Sequence, residues 1–232
     1  MRKMVLMAFL SWVCGIAVEA QDQCEATISA DFVSQYIWRG QELGQVSVQP
    51  TLGIDCKGFS LSAWGSVGLS QHEDAKEIDL TLSYTTGGFS AGVTDYWTDE
   101  AGPRYFLYDA HRTNHVFEAF AGYDFGVAAV TWYTNFAGAD GTRSDGSRAY
   151  SSYLELSAPF SLAGLEWSAG VGVVPYSTTL YDTDGFAVTH LGLTATKDVQ
   201  VTDKFTLPLF ASVLANPRTR NAYLVVGFTL RP

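Results

Sequence analysis

The chain has 232 residues, carries a net charge of −10 from 14 Lys+Arg against 24 Asp+Glu, and is 16% charged and 14% aromatic with 22 glycines. That acidic balance excludes a chain built to grip a phosphate backbone, and beyond the N-terminal segment no run of about 18 apolar residues offers a membrane-spanning helix. Few charges with many glycines and aromatics suit a sheet set in lipid better than one bathed in water.

Residues 1–20 open with Arg2 and Lys3, continue through an apolar core and close on Val18-Glu19-Ala20. This is the pattern of a secretory signal peptide cut after Ala20, which leaves 21–232 as one mature domain. From Ala26 onward apolar and polar residues alternate. Ala26, Ile28, Ala30, Phe32, Tyr36 and Trp38 share one parity and Thr27, Ser29, Asp31, Gln35 and Arg39 the other, so one face of the strand is greasy and the other wet. The spacing predicts strands over 25–38, 45–56, 59–70, 76–86, 88–97, 114–124, 126–137, 149–157, 164–176, 185–197, 204–215 and 221–231. Such strands are long enough to cross hydrocarbon when tilted.

A soluble sandwich alternates as well, so the connections must decide. Those after even-numbered strands are tight, at Lys57-Gly58, Gly87-Gly88, Phe125-Gly126, a Pro159 corner and a stretch near Lys197 to Lys204. Those after odd-numbered strands are longer, above all 98–113 and the Gly/Asp/Ser-rich 138–148, which reads as a mobile loop. Long loops on one rim, with tight turns and both ends of the sheet on the other, predict an all-β, up-and-down antiparallel transmembrane β-barrel of about twelve strands. Tyr36, Trp38, Tyr96, Trp97, Tyr133, Phe136, Tyr150 and Tyr176 gather near the long loops as an interfacial girdle would. Pro50, Pro159 and Pro208, in or beside strands, predict bulges or kinks. Cys24 and Cys56 are equidistant from Gly40, the centre of the first turn, and so face each other across the hairpin. They form either a disulfide clamping its base in an oxidising compartment or two free thiols.

Ser34-Gln35-Tyr36-Ile37-Trp38-Arg39-Gly40, with Val48-Gln49-Pro50 in the returning strand and the closing Tyr223-Leu224-Val225-Val226-Gly227-Phe228, resembles the TorF-like porin family of bacterial outer-membrane barrels. The resemblance implies a barrel and a channel in the bacterial outer membrane, and it brings no catalytic residue. Partners of such a barrel are outer-membrane lipid and lipopolysaccharide, the barrel assembly machinery, and small solutes or ions. One departure is Pro232, at the outward position where assembly machinery often reads an aromatic, which either weakens that signal or shifts it to Phe228.

The wet face of a barrel strand is the lumen. By parity the lumen candidates are Asp31, Gln35, Arg39, Gln49, Asp79, Glu118, Asn135, Glu155 and His190. Acids outnumber bases, so a water-filled lumen would pass small hydrophilic solutes or ions and prefer cations. The alternative is a narrow lumen whose polar groups pair as a plug, Arg39 with Asp31 or Asp79, leaving a closed structural or adhesive barrel that acts through its loops. Arg39, beside the turn glycine Gly40, is either a constriction charge or a guanidinium that holds the first loop down. No cofactor, metal or reaction is expected. His72, His111, His115 and His190 accompany no G-x-S-x-G or H-E-x-x-H motif, and Asp99, Glu100, Asp109, Asp140 and Asp145 are scattered over loops.

Overall fold

The computed structural model describes residues 24–69, 74, 76–100, 102, 104–109 and 112–231; the expected signal peptide, His72, His111 and Pro232 lie outside them. The strands are β1 (Cys24–Val33), β2 (Tyr36–Trp38), β3 (Gln41–Gly44), β4 (Ser47–Cys56), β5 (Phe59–Gly68), β6 (Glu77–Thr86), β7 (Phe89–Thr98), β8 (His115–Asp124), β9 (Ala129–Gly138), β10 (Ser152–Leu162), β11 (Leu165–Val174), β12 (Ala187–Thr202), β13 (Phe205–Asn216) and β14 (Asn221–Leu230), with a 3-10 turn at Thr179–Tyr181. β1 and β4 to β14 close into one antiparallel barrel of twelve strands, each beside its chain neighbour, with β14 returning to β1. β2 and β3 form a separate hairpin. The all-β, up-and-down barrel read from the alternation is the fold.

Period-two alternation puts the large apolar side chains outside. Ile28, Leu52, Leu61, Leu82, Val213 and Leu224 are each more than half exposed, while Ser47, Gln49, Ser66, Glu118 and Asn135 on the opposite face are under 9% exposed. Leaving a Leu or Phe in water costs about 1.5–3 kcal/mol relative to apolar surroundings, so a belt of this width calls for lipid. Among the described residues no helix is long and apolar enough to cross a membrane; strands are the only elements of spanning length.

Four of the tight turns are two-residue connections, and three of them, at Lys57 and Gly58, Gly87 and Gly88, and Ala163 and Gly164, have φ between 51° and 87°. Paired positive φ values are the type I′ signature whose twist matches the flanking strands. The other rim carries the segments 34–46, 69–76, 99–114, 139–151 and 175–186, and only 217–220 is short there.

Two expectations about proline and strand length are corrected. Pro159 is no corner, because β10 runs through it to Leu162. Pairing with β9 ends at Ser157, so no strand on that side calls for the N–H that Pro159 lacks. Pro50 and Pro208 likewise sit where a ladder lapses, the first between β4 and β5 and the second just before β14 begins to pair at Leu209. The bulges fall elsewhere, at Gly172/Val173, Gln200/Thr202 and Phe117/Glu118. The first strand, expected to reach Trp38, stops at Val33. There Ser34 donates its N–H to Val226 O at 2.9 Å and its Oγ accepts the Val226 N–H at 3.0 Å, sealing the top of the β1–β14 seam. The chain then leaves the wall.

Cys24 and Cys56 are register partners with Cα atoms 4.4 Å apart, and they are bonded. Residues 24–29 of β1 pair with β4 but not with β14, which pairs only from Ala30 to Val33. The disulfide therefore staples a half-free strand. Cys24→Ser is expected to leave the barrel closed but to speed amide hydrogen exchange over residues 25–29. A constraint of this kind contributes about 2–4 kcal/mol, and exchange unchanged from the wild type would show that the β4 ladder alone holds the edge.

Candidate functional site

The hairpin of β2 and β3 turns on Arg39 (φ 50°) and Gly40 (φ 83°) and carries its tip into the barrel. Gly40 presses on β12 so closely that a Cβ there would overlap the Thr189 carbonyl, and Asn216 of β13 donates its side-chain amide to Gly40 O at 3.1 Å. Arg39 reaches the wall across from its own strand. Its Nη1 and Nη2 donate to the two carboxylate oxygens of Glu118 on β8 at 2.6 and 2.8 Å, and Nη1 also donates to Tyr181 Oη at 2.7 Å. Tyr96 donates its hydroxyl to Glu118 Oε1 at 2.9 Å. The guanidinium carbon lies 4.6, 4.2 and 4.6 Å from the ring centroids of Trp38, Tyr133 and Tyr153. The result is a forked ion pair inside an aromatic cage, with the two side chains 7% and 2% exposed.

Tyr181 comes from the segment 175–186, whose 3-10 turn is capped by Thr178 accepting the Leu180 N–H. It stacks between Trp38 and Tyr153, at 5.7 and 5.8 Å. Burial raises its phenol to about 12, so at neutral pH it keeps its proton while accepting from Arg39. Tyr153 in turn lies across Gly172, where a Cβ would overlap its phenol. Around the hairpin every barrel strand supplies a side chain no more than 9% exposed, among them Ser47, Asn135, Val174, Thr189 and Asn216. At this level the lumen is packed shut.

Toward the tight turns the inner face changes character. Ser60, Ser62, Thr81, Ser83, Ser90, Thr131, Ser157 and Thr194 are half-buried, and Gly53, Gly92, Gly170 and Gly192 share their face. Phe120 lies over Gly92, and His190 with Leu214 over Gly192, so rings fill part of this half, while the hydroxyls between them stay partly accessible in a barrel wider than the roughly eight strands that side chains just fill.

Of the lumen candidates, Arg39 and Glu118 meet in an ion pair across the lumen, and Asp31 stands beside Gln49 and Glu118 beside Asn135 as register partners in the wall. Arg39 does not pair with Asp31 or Asp79, because its hairpin crosses the lumen instead of lying along its own wall. Asp31 accepts from Thr229 Oγ1 at 2.5 Å. Gln35 is on the hairpin, not the wall, and donates to Glu42 at 2.9 Å. Gln49 donates to Ser47 and Ser66 at 3.3 and 3.5 Å, and Asn135 to Asp140 at 3.1 Å. Asp79 Oδ1 and His190 Nδ1 are buried with no hydrogen-bond partner among the described residues. Glu155 is half-buried on the inward side of β10. Four of the expected girdle aromatics, Tyr36, Trp38, Tyr96 and Tyr133, are inside the barrel, where the last three cage the ion pair, whereas Phe136 and Tyr150 stand exposed at the rim. Strand parity carried no sign of Tyr181, which lies in a loop without alternation.

No family model matches the sequence, and no curated protein matches it. Solved chains that it resembles include one from a study of the in-meso crystallization of membrane proteins, with a TM-score of 0.45 and 8% identity over 89% of this chain and 83% of that one. Pseudomonas aeruginosa OccK9 (OpdG) aligns with a TM-score of 0.35 and 14% identity over 89% of this chain and 58% of its own, so this chain spans little more than half of it. Salmonella typhi OmpF, solved in complex with daunomycin, aligns with a TM-score of 0.37 and 9% identity over 90% and 97%. At such identities the roles of side chains have to come from this chain's own geometry.

The loops above the hairpin are laced to one another. Ser151 and Thr178 share a hydroxyl hydrogen bond of 2.6 Å, Thr142 N donates to Thr179 Oγ1 at 2.9 Å, and Arg218 donates to Asp182 O and Asp184 at 2.9 and 2.8 Å. The segment read as mobile is thus tied down. Its acids serve its turns: Asp140 accepts from Gly141 N and Ser151 N at 2.7 and 3.0 Å, and the Ser147 hydroxyl and amide hold Asp145 below the usual carboxylate range. His115 lies on the outward face, fully buried, with Nδ1 on Asp95 at 2.7 Å and Nε2 on the Tyr105 carbonyl at 2.5 Å. Both ring nitrogens are engaged, which leaves neither to activate a hydroxyl.

Proposed function

We propose that this chain is a channel of the bacterial outer membrane, of TorF-like type, that passes small hydrophilic solutes or ions and is held shut by its own first hairpin. The observation that carries the reading is the contrast between the two halves of the lumen. Toward the tight turns hydroxyls stay partly accessible between the rings of the inner face, and a single hairpin, locked through Arg39 and Glu118, stops the lumen at the other end. A barrel meant only as a rigid wall would gain by filling its interior along its whole length. The reading assigns no reaction to the chain and no cofactor. Its lipid-facing belt meets outer-membrane lipid and lipopolysaccharide, and insertion falls to the barrel assembly machinery.

Cation preference is part of the same proposal. Glu118 neutralises Arg39, which leaves the acidic side chains of Asp31, Asp79 and Glu155, and no base but His190, among the other lumen candidates. In planar bilayers under a salt gradient the purified barrel is expected to show brief openings from a closed baseline, with a reversal potential of the cation-selective sign. An anion-selective sign would sink the acidic lumen. A second reading, a closed structural or adhesive barrel, is favoured by the lacing of the outer loops; silence from both the wild type and a variant with residues 36–44 replaced by a short Gly-Ser turn would establish it over the channel.

A further inference from the structure

We propose that the cavity on the loop side of the hairpin binds a small organic cation with an apolar body, an aryl-alkyl amine being the simplest representative. The inference rests on the reading of the hairpin as the stopper, since the hairpin forms one wall of the site. The cavity holds about 400 Å³, within the range of ligand pockets. Trp38 and Leu43 of the hairpin, Val116 of β8 and Leu180 of the 3-10 turn give it an apolar body. Glu77 and Glu100 give it two acidic side chains, and among the described residues its lining includes no lysine or arginine.

Both acids line this one cavity, and Glu77, whose carboxyl also meets Tyr36 and Asp79, is only 9% exposed. Two neighbouring basic groups are engaged elsewhere. Lys76 is turned out to Asp99 at 3.8 Å, with its side chain 58% exposed, and Arg39 is held beneath the Trp38 indole by Glu118. Asn114 donates from its side-chain amide to Thr98 O at 3.1 Å. A cation entering therefore meets two acidic side chains in a setting less screened than bulk water, a neutral molecule of the same shape gains only the apolar contact, and an anion is disfavoured. With Trp38, Gln41 and Leu43 on one wall, an occupant also adds contacts that exist only while the hairpin is seated.

The test uses the whole detergent-solubilised barrel and isothermal titration with 2-phenylethylamine, its neutral counterpart 2-phenylethanol, and 3-phenylpropanoate. At neutral pH the amine is expected to bind at least about tenfold tighter than the alcohol, with no binding of the carboxylate. Glu77→Gln with Glu100→Gln should bring the amine down to the alcohol's affinity, and Ala139→Trp, which fills the cavity, should weaken both. Heat-shifted gel mobility confirms that each variant keeps its barrel, and an unfolded double variant is replaced by Glu100→Gln alone, for which a reduced amine preference is required. Equal affinity for amine and alcohol, or a preference that survives loss of the carboxylates, overturns the proposal. Binding is read without current, so a barrel that binds the amine but never conducts refutes the channel and keeps this site, and one that conducts but ignores the amine does the reverse.

Discussion

Arg39→Ala is expected to turn a channel that is mostly shut into one that is mostly open. The guanidinium makes three hydrogen bonds of 2.6, 2.8 and 2.7 Å, two to Glu118 and one to Tyr181, in surroundings almost free of water. Removing one partner of a buried ion pair costs about 3–5 kcal/mol, because the other charge stays buried and unpaired. Here that cost falls on the shut state alone, since Glu118 regains water once the hairpin lifts. At about 1.4 kcal/mol per factor of ten, the ratio of seated to lifted hairpin should fall by roughly two to three and a half orders of magnitude. Single-channel recording would show this as open probability. Arg39→Lys should fall between, because an ammonium cannot supply the planar fork. Adding Glu118→Ala to Arg39→Ala should partly restore closure, the non-additivity expected of two residues that act as a pair. Traces of Arg39→Ala that match the wild type would mean that the pair does not hold the hairpin.

The wall of this barrel was legible because one physical fact, the alternation of side chains across a strand, repeats along the chain, and because tight turns declare themselves through glycine. Lys57-Gly58 and Gly87-Gly88 mark their turns within two residues. Alternation misled only where the chain leaves the wall. Tyr36 and Trp38 continue the apolar parity of β1 and so read as lipid-facing. An aromatic that faces lipid and one that cages a cation have the same parity and composition, and what separates them is a contact some eighty residues away, Arg39 on Glu118. Pro159 misled for a related reason: a missing N–H is harmless where no strand comes to meet it, and whether one does depends on where β9 ends.

The site was half legible. Arg39 and Glu118 both stood out as inward charges, but parity orders residues along one strand and says nothing about which pair meets across the lumen. Tyr181 and the lacing of the loops were out of reach, because short polar residues that tie a loop down look the same in sequence as those that leave it loose. Asp140 illustrates this: it sits in a Gly/Asp/Ser-rich stretch, yet it accepts hydrogen bonds from both sides of its loop. Arg39 beside a glycine was the one signal available. A left-handed turn presenting a cation, followed downstream by Glu118, Tyr133 and Tyr153 on the inner parity of successive strands, is a pattern that a search for caged arginines could use.

Gly40→Val should open the barrel by a different route, with Arg39 chemically intact. Gly40 has φ 83°, where an L residue is strained by about 1–2 kcal/mol. A Cβ at this position would also overlap the Thr189 carbonyl. That carbonyl lies at the β12 bulge opposite Gly172 and Val173, before pairing with β13 begins at Leu191, but its neighbours Val188 and His190 are held by β11, whereas the hairpin pairs only with itself. The hairpin, the less firmly held of the two, is expected to give. As it lifts it forfeits the Asn216 hydrogen bond to Gly40 O and draws Arg39 away from Glu118. Open probability should rise at least as far as in Arg39→Ala, and Trp38, released from between Arg39 and Tyr181, should shift its fluorescence to the red. The comparison separates two ways in which Arg39 could matter. If it shuts the channel as a charge at a constriction, Gly40→Val keeps that charge and stays closed; if it works by seating the hairpin, both variants open. A closed Gly40→Val channel with unshifted tryptophan emission would show that the tip does not rest on Thr189, and the hairpin would then not be the stopper.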